Sequence, residues 1–350
     1  MFDELFVLVF ALVLGAVLFW GFRTLPKESW QILGALPRQK DENGCWRGLN
    51  LTYYGFFNAN AYVLATAVFI LLMASLRIPF SGILLLAGAI LAMCIPASRR
   101  VAGWVEKKRY TFSVAGASFV GLVVTPPAVL IIEFLFGPRL GFSLPVPAAM
   151  AALAAAYAFG EGIGRLACIS FGCCYGRPVK ELPEGVRKWL TPRSFVFSGA
   201  TKKISYAGGL EGEAVVPIQA VTAVLYCGTG LAGFYLFLQQ AFLASFLSVL
   251  TVTQLWRFAS EFMRADYRGG GKISAYQVMG LISIPYAVGV GILFPLQTTV
   301  EPDLTAGLIR MWDPLVLLFL QGLWLLSFLY TGSSKTTGAV MSFHVIRHRT

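Results

Sequence analysis

Nine stretches of this sequence are apolar over about twenty residues each: 4–22, 56–76, 79–97, 112–136, 145–171, 215–238, 242–264, 273–295 and 312–331. A helix rising about 1.5 Å per residue needs that length to cross a hydrocarbon layer of about 30 Å. In lipid the backbone polar groups are satisfied only in helices or closed barrels, and these runs are continuously apolar rather than alternating. The expected fold is therefore all-α: a polytopic integral membrane protein with about nine transmembrane helices. Composition agrees, with 57% apolar and 13% charged residues against roughly 25% charged in a soluble domain. The first run lacks a basic leader and an A-x-A site, and Trp20-Gly21-Phe22 follows it. It reads as a retained helix rather than a cleaved signal peptide. Pro126-Pro127 is expected to kink the fourth span, which neighbouring helices can tolerate.

Nine spans divide the connecting segments between two sides, and the charge divides unequally. Of the 28 Lys and Arg residues, five lie in 23–50, five in 98–110, seven in 172–214, four in 257–272 and three in the tail, all on one side. Arg77, Arg139 and Arg310 lie on the other, and Arg165 sits near a span end. One reading is the positive-inside rule, which puts the basic side in the cytoplasm. The other is that the basic face recruits anionic lipid headgroups. The net charge of +11 does not point to nucleic acid, because no nucleic-acid motif is present and the basic residues are scattered through membrane-side loops.

Residues 164–177 read GRLACISFGCCYGR, an unusual run for so apolar a chain. Arg165 follows Glu161 by four residues, so the two share a helix face and can pair. Charged groups inside spans cost about 2.5–3.5 kcal/mol each on insertion scales and commonly mark functional paths. A second cluster, Arg257, Glu261, Arg264 and Asp266, ends the seventh span, and its 3–4 residue spacing places the first three on one helix face. Both clusters map to the basic side. Guanidinium forks bind phosphate bidentately, so two arginines from separate helices suit a phospholipid headgroup. Gly160, Gly162 and Gly164 remove bulk for close helix packing or lipid approach. Cys94 and Cys227 lie in apolar runs and read as small buried hydrophobes. With no C-x-x-C pair and no secreted-type disulfide framework, no metal and no cofactor are assigned.

The segment FGEGIGRL…GCCYGRP resembles the signature of prolipoprotein diacylglyceryl transferases. Four further blocks agree in order: Thr52-Tyr53-Tyr54-Gly55, Pro217-Ile218-Gln219, Arg257…Glu261-Phe-Met-Arg264-Ala-Asp266, and Ile273-Ser274…Gln277. Together they cover about residues 50–290. The resemblance implies a seven-helix core at 51–295, with 172–214 as an extramembrane head. Residues 1–50 would add a helix and a basic loop, and 296–350 a further helix and tail. It implies transfer of the diacylglyceryl group of phosphatidylglycerol, or another anionic phospholipid, to a prolipoprotein's signal-peptide lipobox cysteine, in a bacterial cytoplasmic membrane. Arg165, Arg257, Tyr54 and Glu261 are then the catalytic candidates, and Arg264, Gly164, Gly176 and Arg177 the substrate-binding ones. Cys173 joins the first set and Cys168 the second on thiol chemistry rather than on the resemblance.

The chain also departs from the pattern. The family's His-Gly-Gly motif has no counterpart: the region reads Thr111-Phe-Ser-Val-Ala-Gly116-Ala, and the only histidines, His344 and His348, lie in the tail. Cys168 and Cys173 stand where an asparagine and a glutamate are expected, and Thr253 where a tyrosine is expected. A thiolate beside two arginines is expected to have a lowered pKa, so Cys173 could carry a lipid group covalently. Cys168 could alternatively form a disulfide or bind metal with Cys173 or Cys174, or all three could be packing residues. Charge bias places the site's face in the cytoplasm, whereas the family resemblance places it outside. Alternative functions are a related transferase with another acceptor, and a non-catalytic phospholipid-binding membrane protein.

Overall fold

A computed structural model describes residues 1–29, 31–106, 114–266, 273–294 and 301–350. Helix α1 (Phe2–Thr24) leads into two strands, β1 (Ile32–Lys40) and β2 (Trp46–Thr52). Helices α2 (Tyr53–Ser75), α3 (Phe80–Glu106), α4 (Val114–Leu140) and α5 (Val146–Phe171) follow. A head segment then contains α6 (Glu184–Leu190), β3 (Phe195–Val196), α7 (Lys203–Tyr206) and β4 (Ala214–Val215). Next come α8 (Ile218–Leu238), α9 (Phe242–Glu261), α10 (Ala275–Leu293), the short α11 (Leu304–Met311), α12 (Pro314–Gly332) and β5 (Ser333–Met341). Nine of the helices among the described residues are long and apolar enough to cross a membrane, and each coincides with one expected span. The chain is a multi-pass helical membrane protein. Pro126 and Pro127 lie inside α4, whose helix runs through them.

Helix α5 is the pillar of the bundle. In its most apolar stretch 78% of residues are buried, against 17% in α1 and 22% in α12. It packs mainly against α2 and α8, with α9 also in contact. Alanines 148, 149, 151, 152, 154, 155, 156 and 158 are all buried along it. Lipid supplies no hydrophobic drive between helices, so small side chains that let backbones approach do the work instead. The glycines continue this on opposite faces. A Cβ on Gly162 would meet Cys227 Sγ of α8 at 2.6 Å, while one on Gly164 would find Ala61 of α2 at a comfortable 3.7 Å.

The basic segment 23–50, expected as a loop, contains a β-hairpin instead. Its strands pair antiparallel from Ile32↔Thr52 to Lys40↔Trp46. β5, in the expected tail, adds to β2 and makes a three-stranded sheet in the order β1-β2-β5. The turn has a local cause: Asp41 Oδ1 accepts from the backbone N–H of Asn43 (3.1 Å) and Cys45 (2.8 Å), and Gly44 takes φ +83°. Register shifts beside Gly34 and Pro37 break the alternation, so no clean period of two is visible in the sequence. A two-stranded pair, β3 with β4, also lies in the head.

The head is fastened to the bundle by a lysine. Lys202 is fully buried, and its Nζ donates to the carbonyls of Leu25 and Ser170, both at 2.9 Å. Its ammonium also lies 5.7 Å from the ring of Phe197. Ser198 N–H donates to Pro26 O at 3.1 Å, adding a backbone tie between head and α1. Burial pushes the Lys202 ammonium down to about 8, against an opposing effect from Glu28.

Two outcomes follow from this packing. Gly162→Ala should lower stability by about 1–3 kcal/mol through overpacking against α8. Gly164→Ala should be neutral or gain up to about 1 kcal/mol from helix propensity; thermal unfolding in detergent measures both. The lysine gives a pH signature. Between pH 8 and 10.5 the unfolded chain holds a proton on Lys202 that the folded chain has released, so stability rises with pH across that window. Protease resistance of the head should increase there by at most about 3 kcal/mol, and Lys202→Met should remove that increment.

Candidate functional site

The site is built on one stripe of α5. Tyr157, Glu161, Arg165 and Cys168 follow one another at spacings of four, four and three, which keeps them on one helix face. Arg165 Nη2 donates to Glu161 Oε2, and the two side chains are only 16% and 13% exposed. Pairing satisfies one end of the guanidinium only: Arg165 Nε is buried without a partner among the described residues.

Helix α9 supplies the second arginine. Arg257 Nη1 donates to the Tyr157 hydroxyl at 2.9 Å. Arg257 is also within charge-interaction range of Glu161, Arg165 and Tyr226. No carboxylate forms an ion pair with it among the described residues. Tyr226 of α8 lies with its ring 6.1 Å from that of Tyr157, and its hydroxyl donates to Thr253 O at 2.9 Å. Thr253 itself points back into its own helix, donating to Val249 O at 2.8 Å. It therefore does not stand in for a site tyrosine, whereas Tyr157 and Tyr226 flank Arg257 from neighbouring helices.

Arg264 is not on the helix face that spacing assigned to it. Helix α9 ends at Glu261, and Gly176 forms a β-bridge with Arg264. Backbone bonds from Arg177 N–H to Met263 O (3.0 Å) and from Ala265 N–H to Tyr175 O (3.1 Å) draw the chain out of the helix. On this bridge Arg264 forms a bidentate pair with Asp266, with Nε to Oδ1 and Nη2 to Oδ2 both at 2.7 Å. Its fork is committed to that carboxylate. Glu261 keeps a buried oxygen, Oε1, that meets no donor among the described residues.

The glycine candidates have structural surroundings. A Cβ on Gly176 would collide with the Val216 carbonyl, and Gly164 faces α2 rather than the arginines. Arg177 is exposed at the head. Tyr54 opens α2 with its ring 5.5 Å from Phe171, and it lies within charge-interaction range of Cys168, Cys173 and Cys174. Along the second half of α5 the structure thus places Tyr157 with Arg257, then Glu161 with Arg165, and at the helix end the three cysteines near Tyr54. Gln219, from the Pro-x-Gln block, donates from Nε2 to Cys173 O at 2.9 Å. Gln277 closes a capping box with Ser274 and donates to Phe258 O at 3.0 Å, so it ties α10 to α9. The stretch 111–113, where the missing histidine motif would fall, lies outside the described residues, as do Lys107, Lys108, Arg109, Arg268 and Lys272.

The thiols differ from expectation in one respect. Hydrogen bonding to Cys168 and Cys174, together with burial, pushes the Cys173 thiol well above its ordinary range rather than below it. The lowering expected from neighbouring arginines is not found at Cys173. Cys94 and Cys227 are buried, the latter against Gly162, in line with packing roles. The two tail histidines are exposed.

Tyr157 and Tyr226 are not singled out by the sequence motifs, although Tyr157 carries a signal: it lies four residues before Glu161, on the same stripe. Tyr157→Phe should remove the protein's hydrogen bond to Arg257 and lower stability by about 1–2 kcal/mol, read as a shift in detergent melting temperature. Tyr235→Phe, on α8, is the matched control.

The chain matches no family model, and no curated protein matches it.

Proposed function

We propose that this chain is a phospholipid-dependent transferase that moves the diacylglyceryl group of phosphatidylglycerol to a cysteine thiol of a prolipoprotein, in a bacterial cytoplasmic membrane. The observation that carries the reading is Arg257: a guanidinium inside a helix bundle, held by the Tyr157 hydroxyl, with no carboxylate partner among the described residues. Arg165 stands beside it with a buried, unpaired Nε. An arginine kept in a membrane bundle without a carboxylate of its own, beside a second with a free buried N–H, presents a site for an anion, and guanidinium forks fit phosphate. The ordered sequence blocks that resemble diacylglyceryl transferases supply the substrate and the chemistry.

In this reading Arg165 and Arg257 hold the headgroup phosphate. The acceptor thiolate attacks the glyceryl carbon, a C–S bond forms, the C–O bond to phosphate breaks, and glycerol phosphate departs. The arginines stabilise the charge that develops on the leaving oxygen. Glu161 orients Arg165, and Tyr54 and Glu261 line the acceptor's approach. Arg264, committed to Asp266, acts as a brace for the segment that carries the cysteines. A second reading, a phospholipid-binding protein without chemistry, draws on the raised pKa of the Cys173 thiol and the exposed position of both histidines, which leave no evident base.

The test is expression in cells depleted of their own diacylglyceryl transferase, following the mobility shift of a reporter prolipoprotein. The expected result is a shift that Arg257→Ala and Arg165→Ala each reduce by about 100-fold or more. Arg257→Lys, which keeps charge but loses the fork, should retain part of it. No shift, but co-purified phosphatidylglycerol that Arg257→Ala depletes, would select the binding reading. Neither shift nor lipid, from protein shown to be in the membrane, would refute both.

A further inference from the structure

Three thiols meet at the end of α5, and the backbone there is built to bring them together. Helix α5 ends in a Schellman motif: Gly172 takes φ +66°, its N–H donates to Ile169 O (3.2 Å), and Cys173 N–H donates to Cys168 O (3.0 Å). This return of the chain sets Cys173 over Cys168, five residues earlier. Cys174 then adopts φ +57°, a left-handed conformation that costs a non-glycine residue of order 1 kcal/mol and concentrates at functional sites. Gln219 fixes the position by donating to Cys173 O. The three Sγ atoms all lie within 4.8 Å of one another.

We propose that Cys168, Cys173 and Cys174 form a three-thiolate binding site for Zn²⁺. Zinc–thiolate bonds of about 2.3 Å place tetrahedral sulfurs about 3.8 Å apart, so a modest contraction of this triangle closes it around the ion. A disulfide would use two of the sulfurs and leave the third without a purpose; a borderline-soft cation uses all three. Binding replaces the three thiol protons by the ion, releasing three H⁺ and leaving one net negative charge on the cluster. Arg165 interacts electrostatically with Cys168 and Cys174, and Arg264 with Cys174, although each guanidinium is also paired with a carboxylate. Because the ion displaces thiol protons, binding is pH-dependent. Three protein ligands leave a four-coordinate zinc one position for an outside donor. Zinc binding at these thiols is independent of the lipid and acceptor proposed above.

Zinc content and thiol reactivity of the detergent-solubilised full chain test it. The reduced protein should bind one equivalent of Zn²⁺, and of Co²⁺ with a thiolate-to-cobalt charge-transfer band. Saturating Zn²⁺ should slow maleimide labelling of these three cysteines at least tenfold in the unaltered protein, with Cys45 labelling unchanged. Cys174→Ser should weaken Co²⁺ binding at least tenfold, whereas Cys94→Ser and Cys227→Ser should leave it intact. Absence of the charge-transfer band, or labelling indifferent to Zn²⁺, overturns the proposal. So does a purified protein in which two of the three thiols become reactive only after reduction, which would assign a disulfide instead. The labelling arm uses no substitution, so it decides the matter even where a variant fails to fold.

Discussion

An arginine can stand inside a helix bundle only where something nearby carries the opposite charge or accepts its hydrogen bonds, because lipid and apolar side chains do neither. Glu161, one turn before Arg165, meets that need. The arrangement of the molecule follows from it. The pair must lie away from lipid, so the helix that carries it has to be central. A central helix must be approached by neighbours on several sides, so its other faces are lined with alanine and glycine. The same face that holds the ion pair then presents Tyr157 to Arg257 and Cys168 to the cysteines beyond the helix end.

Parts of the site that are remote in sequence are held by backbone rather than by side chains. Residues 175–178 pair on one side with 263–265 and on the other with 215–216. This short bridge fixes the end of α9 relative to α5 and carries the thiols between them. Gly176 sits at its centre, where the approach of the Val216 carbonyl leaves no room for a side chain. The conspicuous glycine of the cysteine-rich motif thus serves the joint between two arginine-bearing segments. Arg264 braces the same joint through Asp266, while Arg257 keeps its fork uncommitted to any described carboxylate.

All nine spans were legible because each is long, apolar and uninterrupted, and lipid permits few alternatives to a helix. The Glu161–Arg165 pair was legible from its four-residue spacing. Arg264 was not, because spacing presumes that a helix continues, and here a β-bridge ended it three residues early. The hairpin at 32–52 was hidden by its register shifts, although Asp41-Glu42-Asn43-Gly44 is a turn signal in plain view. Its partner β5 could not be anticipated from local pattern at all, since the pairing joins residues nearly 300 positions apart. The lowered thiol pKa failed for an electrostatic reason. Mutual hydrogen bonding among the thiols and burial dominate at Cys173, and Arg165 and Arg264 already have carboxylate partners of their own.

The β1-β2-β5 sheet couples early and late segments of the chain during synthesis. β2 leaves the ribosome ahead of α2, pairs with β1, and keeps its second edge open while eight spanning helices are made and inserted. Only when α12 has crossed and β5 follows it is that edge covered. Thr52, at the end of β2, donates to the carbonyl of Gly332, at the end of α12, at 3.1 Å. β5 therefore joins early and late segments of the chain: its pairing on β2 and the Thr52–Gly332 bond together tie the end of α12 to the start of α2.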